Sequence, residues 1–351
     1  MRDVAALAGV SLKTTSRVVN GETTVAADLA ARVRRAATVL DYRPNLAARS
    51  LRRTDGRTRT IGLLLKNVAN PFSSALQRAV EDVASEHGVA VFAGSVDEDP
   101  DKERRLALAL VERRADGLII VPSGDDQSYL LNEQRAGLNL VFMDRPPRLL
   151  KADAVISDNR SGAVAAVRHL AAGGHKRIGF LADLREITTA SERFEAYRAT
   201  LSEVGIAYDE ALVRFDLHDA GAAEEAARSL LVEEQPTALF ATQNLVTMGA
   251  VRALRALGAN HSVALVGFDD MPLADLLDPP VTVVSQDPAT MGAMACRILF
   301  QRMGGDTSAP RTHLLPTHLL ARGSGEIPPG RWPASPARPR ARTTGRGSPR
   351  H

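Results

Sequence analysis

Cysteine and long apolar segments are almost missing from this 351-residue chain. Cys296 is the only cysteine, which excludes an intramolecular disulfide and a zinc site built from several cysteines, and indicates a buried structural thiol. No apolar run approaches the roughly 18 residues of a membrane span, and the start MRDVAALAG lacks the basic, apolar and cleavage regions of a signal peptide. The sequence therefore predicts a cytosolic globular protein without membrane attachment.

Nucleotide-binding and catalytic motifs are also missing. Neither G-x-G-x-x-G nor G-x-x-x-x-G-K-[ST] occurs, so nothing predicts the phosphate cradle of a dehydrogenase or kinase. His313 and His318 are too isolated to form a metal site. Asp269 and Asp270 are adjacent at a predicted strand end, where neighbouring side chains point in different directions and do not share acid–base work. We predict that the chain is not an enzyme and uses neither a cofactor nor a metal.

Lysine is scarce, and charge is distributed unevenly. The chain has five lysines and 39 arginines, and its net charge of +3 combines +7 in residues 1–59, −9 in residues 60–324 and +5 in residues 325–351. A basic head on an acidic body predicts that only the head lies on a polyanion. The tail, residues 325–351, is rich in Pro, Gly, Arg and Ser and is predicted to be disordered.

The head, residues 1–41, has the pattern of three short helices. Apolar residues recur at helical spacing up to Ala8, Gly9 breaks the helix, and Ser11 is placed to cap a second helix. A third helix is predicted over residues 26–40. The outer side of the second helix would carry groups suited to base edges and phosphates, namely Leu12, Lys13, Ser16, Arg17 and Asn20.

The stretch YRPNLAARSL, residues 42–51, joins the head to the body. Pro44 fits the first turn of a helix, but about seven residues is well short of the roughly 12–15 that an isolated helix needs in water. We expect this stretch to fold only when something packs against it.

The body, residues 58–324, alternates strand and helix signals. Strands are predicted at TIGLLLK, VAVFAG and GLIIV, and then over residues 140–143, 177–181, 238–241, 262–266 and 281–284. This alternation predicts parallel sheets covered on both faces, with ligands at the carboxyl ends of the strands. Because the segment is long for one sheet, two similar subdomains around a cleft are expected.

These motifs together resemble one family. DVAALAGVSLKTTSRVVNG followed by YRPNLAARSL resembles the headpiece and hinge of the lactose-repressor (LacI/GalR) family of bacterial transcription regulators, and the resemblance continues to LLPTHLLARGS, over roughly residues 2–324. It implies a small all-α helix-turn-helix head joined by a hinge helix to a two-lobed α/β core of the periplasmic-binding-protein type I. The implied boundaries are 1–43 for the head, 44–57 for the hinge helix and linker, 58–324 for the effector-binding and dimerisation core, and 325–351 for the tail. The chain would cross between lobes near Ser157, Ser285 and Leu314.

The resemblance also implies a role for each DNA-facing position. Base reading in the major groove is implied for Leu12, Lys13 and Arg17. Contacts that hold the DNA backbone are implied for Ser11, Thr14, Ser16 and Asn20. In the hinge, Asn45 and Ala48 would lie against the minor groove, Arg49 near the backbone or groove, and Leu51 would wedge between base pairs.

A second set of residues is implied to converge on an effector cleft, namely Phe72, Asp144, Thr189, Arg193, Gln243, Asp269 and Gln286. An arginine fork and carboxylates can pair with vicinal hydroxyls, and a phenyl ring offers an apolar wall, so the expected effector is a sugar or related polyol. Gln243 and Asn244 replace the family's common Asn-Asp pair. Leu217 falls where members often place a stacking ring, which disfavours a purine.

Three other positions depart from the family pattern. Met1 and Arg2 stand where members have several residues, which predicts a start codon placed a few residues late. Thr15 puts a hydroxyl near the small core of the head. Ala26 stands where a serine commonly caps the third helix, and losing that cap costs about 1 kcal/mol.

The whole pattern predicts a homodimeric repressor that binds a palindromic double-stranded DNA operator and is controlled by a small polar effector. Helices after the lobe crossings are candidates for the dimer surface along with the N-terminal lobe, especially the helix predicted over residues 287–304, with Ala293, Ala295 and Ile298. The alternative is a solute-binding protein of a transport system, which shares the fold class of the body. That protein would need an export signal and would have no use for a basic head.

Overall fold

The computed structural model describes residues 1–20, 22, 24–42 and 57–330. The chain divides into two compact units, Met1–Thr60 and Ile61–His351. The predicted hinge helix, with Asn45, Ala48, Arg49 and Leu51, lies outside the described residues. Within the described part of the chain, no helix is both long and apolar enough to cross a bilayer.

The first unit contains three short helices, as predicted. They are α1 (Arg2–Ala8), α2 (Leu12–Val19) and α3 (Ala27–Val39). Gly9 ends α1 in the left-handed conformation, at φ 61°, which a residue with a side chain adopts less readily. The small core is formed by apolar residues from all three helices, namely Val4, Ala8, Val18, Val33 and Ala36.

Two departures in the head have visible consequences. Thr15 is completely buried, and its Oγ1 donates a hydrogen bond to the Ser11 carbonyl oxygen at 3.1 Å. The hydroxyl in the core is therefore satisfied by its own helix. Ala26 precedes α3 without any side-chain cap, so the expected loss of a capping hydrogen bond is confirmed.

The second unit alternates strands and helices along the chain. The strands are β1 (Thr60–Leu65), β2 (Ala90–Ser95), β3 (Gly117–Ile120), β4 (Asn139–Met143), β5 (Asp153–Ser157), β6 (Ile178–Leu181), β7 (Val213–Arg214), β8 (Ala238–Ala241), β9 (Ala264–Phe268), β10 (Thr282–Ser285), β11 (Thr312–Leu315) and β12 (His318–Leu320). The helices are α4 (Pro71–Glu86), α5 (Pro100–Glu112), α6 (Leu131–Arg135), α7 (Asn159–Ala172), α8 (Thr188–Glu203), α9 (Ala220–Glu233), α10 (Asn244–Ala256) and α11 (Pro288–Met303).

These elements form two lobes, each built on a six-stranded sheet. The order in lobe 1 is β11-β5-β4-β3-β1-β2, and the order in lobe 2 is β12-β10-β9-β8-β6-β7. Strands β3, β4 and β5 of lobe 1 and β6, β8 and β9 of lobe 2 pair in parallel, whereas β12 runs antiparallel to β10. Carboxyl ends of parallel strands lie at one edge of each sheet, which is where ligands bind in such folds.

The chain crosses between the lobes three times, close to the predicted positions. After β5 in lobe 1, helix α7 packs on lobe 2. After β10 in lobe 2, helix α11 packs on lobe 1. Strand β11 then belongs to the lobe 1 sheet and β12 to the lobe 2 sheet. The two-lobed fold predicted for the body is confirmed.

Three details of the prediction are wrong. The strand predicted over residues 262–266 is Ala264–Phe268, because its parallel pairing with β10 runs through Phe268. Ala295 and Ile298 are buried inside lobe 1 and are not a dimer surface. The small residues of α11 serve close packing instead, since a Cβ on Gly292 would lie 2.6 Å from the Leu76 carbonyl oxygen.

The third correction concerns the start of the tail. Glu326, predicted to be disordered, accepts a hydrogen bond from Thr282 Oγ1 at 2.8 Å and lies 2.7 Å from His169 Nε2. The Ile327 carbonyl oxygen lies 2.9 Å from His175 Nε2, and burial lowers the pKa of that imidazole. Residues up to Ile327 therefore belong to lobe 2.

Candidate functional site

The residues predicted to face DNA lie on or beside helix α2. The Leu12 side chain is 48% exposed, and Lys13 and Asn20 are exposed. Ser11 caps the helix: its Oγ accepts a hydrogen bond from the Thr14 backbone N–H at 3.1 Å and lies 2.9 Å from Thr14 Oγ1. Free N–H groups at a helix N-terminus favour anions such as phosphate. This end of α2 can therefore position a DNA backbone.

Arg17 is held by residues that follow the helix. Its Nε donates to Glu22 Oε2 at 2.7 Å, and its Nη2 donates to Thr24 Oγ1. Both partners of the ion pair are partly exposed, at 38% for Arg17 and 49% for Glu22. On the same helix, the Asn20 amide donates to Ser16 Oγ at 3.4 Å. Sequence reasoning missed Glu22, because the segment after α2 has no helical period that would place it.

A single cavity between the lobes is lined by every residue predicted for the cleft. Its empty space is about 540 Å³, part of it open to solvent. The lobe 1 side contributes Phe72 and Asp144, and the remaining five residues come from lobe 2 and its crossing, namely Thr189, Arg193, Gln243, Asp269 and Gln286. Most of them follow the carboxyl end of a strand, which is why residues far apart in sequence meet here.

Asp144 and Asp269 occupy equivalent places in the two lobes. Asp144 follows β4 and Asp269 follows β9, and both backbones are left-handed, with φ of 65° and 68°. Each backbone N–H donates a hydrogen bond to the neighbouring strand. The Asp144 N–H donates to the Val155 carbonyl oxygen at 2.9 Å, and the Asp269 N–H donates to the Val284 carbonyl oxygen at 2.8 Å. Aspartate tolerates this backbone better than most residues. The turn directs both carboxylates into the cavity.

Arg193 on α8 is only 4% exposed and is held rigidly. Its Nε and Nη2 donate to Asn159 Oδ1 at 2.9 and 2.7 Å, and its Nη1 donates to the Thr242 carbonyl oxygen at 2.6 Å. The guanidinium lies over the Phe268 ring, 3.7 Å from the centroid. Burial lowers the pKa of Arg193, and the charge of Asp269 opposes that shift. Three of the five N–H donors of this group are used by the protein, which leaves two for a ligand.

Asp269 is buried beside an amide and a cation. It is 5% exposed, and the Gln286 Nε2 donates to its Oδ1. Burial raises the pKa of Asp269 above its ordinary value, whereas the Arg193 charge and the hydrogen bonds from Gln286 and the Asn244 backbone lower it. A carboxylate in such a dry place forms strong hydrogen bonds with any hydroxyl that enters.

An ion cluster that sequence reasoning missed lies at the lobe 1 side of the cavity. Lys66 follows β1, and its Nζ contacts Asp183 of lobe 2 and lies 3.3 Å from Glu98 Oε1. Both Nη atoms of Arg145 bond Glu98, at 2.6 and 2.7 Å, and Arg145 Nε lies 3.5 Å from Asp144 Oδ2. A signal was available in Lys66, one of only five lysines in a chain rich in arginine.

A second contact between the lobes is a pair of amides. Asn70 Nδ2 donates to Asn244 Oδ1 at 3.0 Å, and Asn244 Nδ2 donates to Asn70 Oδ1 at 2.7 Å. Both residues are buried, at 6% and 0% exposure. Asn70 also caps α4 through the Phe72 backbone N–H. Leu217, at the position expected for a stacking ring, is instead buried in the core of lobe 2.

Known sequences match both parts of the chain. Residues 1–45 match bacterial regulatory proteins of the lacI family, and residues 167–325 match the periplasmic binding protein-like domain. The ribose operon repressor of Halalkalibacterium halodurans is 34% identical over 329 residues, which cover 92% of this chain and 96% of the relative. The chain belongs to the LacI family of bacterial regulatory proteins.

Solved structures of LacI-family regulators have the same fold. A CelR–cellobiose complex is 32% identical, with a TM-score of 0.69, over 92% of this chain and 98% of the other. The lac repressor dimer bound to operator and the anti-inducer ONPF is 27% identical, with a TM-score of 0.81, over the same shares. This LacI-family protein is therefore a DNA-binding transcription regulator and not an enzyme, and its family head rules out the transport alternative.

Proposed function

We propose that this regulator represses transcription from a palindromic operator as a homodimer, and that a sugar or related polyol bound between the lobes controls its operator affinity. The observation that carries the effector half is the convergence of the seven predicted residues from both lobes on one cavity. The names of relatives support the ligand class, since one is a ribose operon repressor and another is described as a complex with cellobiose.

Control of DNA binding would follow from ligand contacts with both lobes. Asp144 and Phe72 face the cavity from lobe 1, and Arg193 and Asp269 face it from lobe 2. A ligand that touches both faces binds one arrangement of the lobes better than another and shifts the balance between them. A shift from 99:1 to 1:99 needs about 5.5 kcal/mol of differential affinity.

In the DNA half of the proposal, helix α2 lies in the major groove. Leu12, Lys13 and Arg17 read bases, while Ser11, Thr14, Ser16 and Asn20 hold the backbone. In the hinge, Asn45 and Ala48 lie against the minor groove, Arg49 lies near the DNA backbone or the groove, and Leu51 is wedged between base pairs. The proposed division of labour is residues 1–43 for the head, 44–57 for the hinge and 58–327 for the core, with a basic tail after the core.

A thermal-shift screen of sugars and other polar metabolites tests the effector half. A ligand present at about 100 times its Kd adds about 2.7 kcal/mol to the stability of the folded core. We expect a sugar to raise the melting temperature of the wild type and to change its binding to an operator selected from random DNA. If no small molecule stabilised the protein and operator binding were constitutive, the effector half would fail.

Substitution of Arg17 tests the DNA half. Arg17→Ala removes a fork able to donate to guanine O6 and N7, worth about 1–3 kcal/mol of discrimination. We expect the variant to bind a panel of operator variants with relaxed preference at one position of each half-site. Lys102→Ala, in the core, serves as the control with unchanged preference. A uniform loss of affinity across the panel would mean that Arg17 contacts phosphate only.

A further inference from the structure

Arg17 of helix α2 is held along one edge of its guanidinium by the segment that follows the helix. Its Nε donates to Glu22 Oε2 at 2.7 Å, and its Nη2 donates to Thr24 Oγ1. Neither Glu22 nor Thr24 is among the positions to which the family resemblance assigns a role. All three residues belong to the first compact unit of the chain, so the contacts are local to the head.

The two contacts leave a particular part of the guanidinium free. The group carries five N–H donors in a rigid plane, and Nε and Nη2 share its side edge. With one donor of each atom occupied, the end edge keeps two donors on Nη1 and one on Nη2. In the part of the chain that the structure describes, Nη1 has no hydrogen-bond partner. Arg17 therefore presents a pair of parallel donors on the edge that the protein leaves open.

Such a pair of donors matches one base in the major groove. Guanine presents two acceptors there, O6 and N7, whereas adenine presents N7 beside an N6 donor and each pyrimidine presents one polar group. An arginine that rotates freely can also turn to a phosphate, which carries no sequence information. A guanidinium fixed along its side edge before DNA arrives loses less rotamer freedom on binding and presents only its end edge. Fixing Arg17 should therefore favour guanine over the other bases.

The charge of Glu22 acts in the opposite direction on DNA binding. Its side chain is 49% exposed and that of Arg17 is 38% exposed, and a carboxylate beside a DNA-binding surface repels phosphates. An ion pair this exposed also contributes little to stability. Neither DNA affinity nor folding accounts for a glutamate at this position, whereas orientation of the base-reading arginine does.

We propose that Glu22, together with Thr24, is a positioning residue that sets the base preference of Arg17. The inference rests on the proposed function, because it concerns the DNA-reading helix of the same regulator. It deepens that function in two respects. The base that Arg17 recognises in each half-site is guanine, and a residue outside the helix determines how strictly that base is read.

Binding of the full-length protein to a panel of operator variants tests the proposal, with fluorescence anisotropy as the readout. The panel places each of the four base pairs at the position whose preference Arg17→Ala relaxes, in an operator selected from random DNA, and adds one unrelated duplex. We expect Glu22→Ala to lower the preference for guanine at that position about fivefold or more. Its affinity for the unrelated duplex should stay equal or rise, because a negative charge is removed.

The preference is a ratio of two affinities of the same protein, so an unfolded fraction cancels from it. An unchanged preference in Glu22→Ala, with the affinities for all duplexes raised by the same factor, would overturn the inference, because Glu22 would then act only as a charge.

Two further variants separate orientation from charge. Glu22→Gln loses the same charge but keeps an oxygen that can accept from Arg17 Nε, so we expect it to keep more of the guanine preference than Glu22→Ala does. Asp28→Asn removes a charge of the same sign from an exposed position in the first turn of α3, and is the matched control with unchanged preference. Equal preferences in the Gln and Ala variants of Glu22 would contradict positioning by a hydrogen bond.

A double-mutant cycle connects the effect of Glu22 to Arg17. In the Arg17→Ala background, Glu22→Ala should change the base preference no further, since the positioned group is gone. A further loss in that background would mean that Glu22 acts on DNA by another route, and the inference would fail alone. If Arg17→Ala itself left every base preference unchanged, the base-reading role in the proposed function would fail, and this inference with it.

Discussion

Asp144 and Asp269 stand at the same place in the two lobes, yet their surroundings differ. Asp144 is followed by Arg145, whose guanidinium bonds Glu98, so charges of lobe 1 neutralise that face. Asp269 is followed by Asp270, which pairs with Arg322 outside the cavity. Asp269 itself is left with an amide partner and a raised pKa.

The same left-handed turn, after β4 in lobe 1 and after β9 in lobe 2, therefore serves a different task in each lobe. On the lobe 1 face, the ion cluster reaches Asp183 through Lys66 and holds the lobes together. On the lobe 2 face, uncharged acceptors and one buried carboxylate remain available to a ligand. The first face should govern stability and the second should govern recognition.

Removal of the Lys66 cation should have the largest effect. Its side chain is 15% exposed, and its partners Asp183 and Glu98 are 7% and 9% exposed. Lys66→Met leaves the buried Asp183 carboxylate without its counter-charge, whereas Glu98 keeps Arg145. We therefore expect the free energy of unfolding to fall by about 3 kcal/mol, measured by urea denaturation. Lys102→Met breaks an exposed pair with Asp97 and should cost at most about 1 kcal/mol. Equal losses in both variants would remove the distinction between the cluster and a surface pair.

Neutralisation of Asp269 should have the second-largest effect, and the affected quantity should be the affinity for the sugar. A hydrogen bond to a charged group contributes about 1.5–3 kcal/mol, so Asp269→Asn should weaken binding of the sugar found in the screen about tenfold to a hundredfold by calorimetry. Because burial disfavours the charge, the variant should fold at least as well as the wild type. The adjacent Asp270→Asn is the matched control, with unchanged sugar affinity. A loss of stability without a loss of affinity in Asp269→Asn would reverse the roles of the two faces.

The amide pair between the lobes should give the smallest effect. Asn70→Ser keeps a capping hydroxyl for α4 but no longer reaches Asn244, so we expect a loss of about 1 kcal/mol in the free energy of unfolding. Asn70→Ala also removes the cap and should cost about 1 kcal/mol more. Urea denaturation of both variants separates the two contributions. Identical stability of the Ser and Ala variants would mean that the cap contributes nothing.

Sequence reasoning located the cleft because its residues follow strands in a recognisable family pattern. Asp144, Asp269 and Gln286 each come directly after a hydrophobic strand, and Gln243 comes two residues after one. Parallel strands bring such positions to one edge. The edge strands β7, β11 and β12 were not predicted, because they are short and only partly buried and so have weak apolar patterns. The interior strand β5, five residues that begin with Asp153, was also not predicted. The helical spacing of apolar residues predicted the three helices of the head, because the same residues form its small core.

The ion cluster was missed because nothing local encodes it. Lys66 and Asp183 are 117 positions apart, and only the relative placement of the lobes makes them partners. The assignment of Ala295 and Ile298 of α11 to a dimer surface was wrong for a related reason. Small residues such as Ala295 indicate close packing, but the pattern cannot tell a partner molecule from a neighbouring helix of the same lobe.

Operator binding measured by fluorescence anisotropy, with and without the sugar found in the screen, decides whether the lobe 2 face reads the effector. The proteins to compare are the wild type, Asp269→Asn and Asp270→Asn. We predict that the sugar changes operator affinity at least about tenfold for the wild type and Asp270→Asn, and leaves Asp269→Asn unchanged at the same sugar concentration. An equal change in all three proteins would show that the lobe 2 face of this cleft does not read the effector.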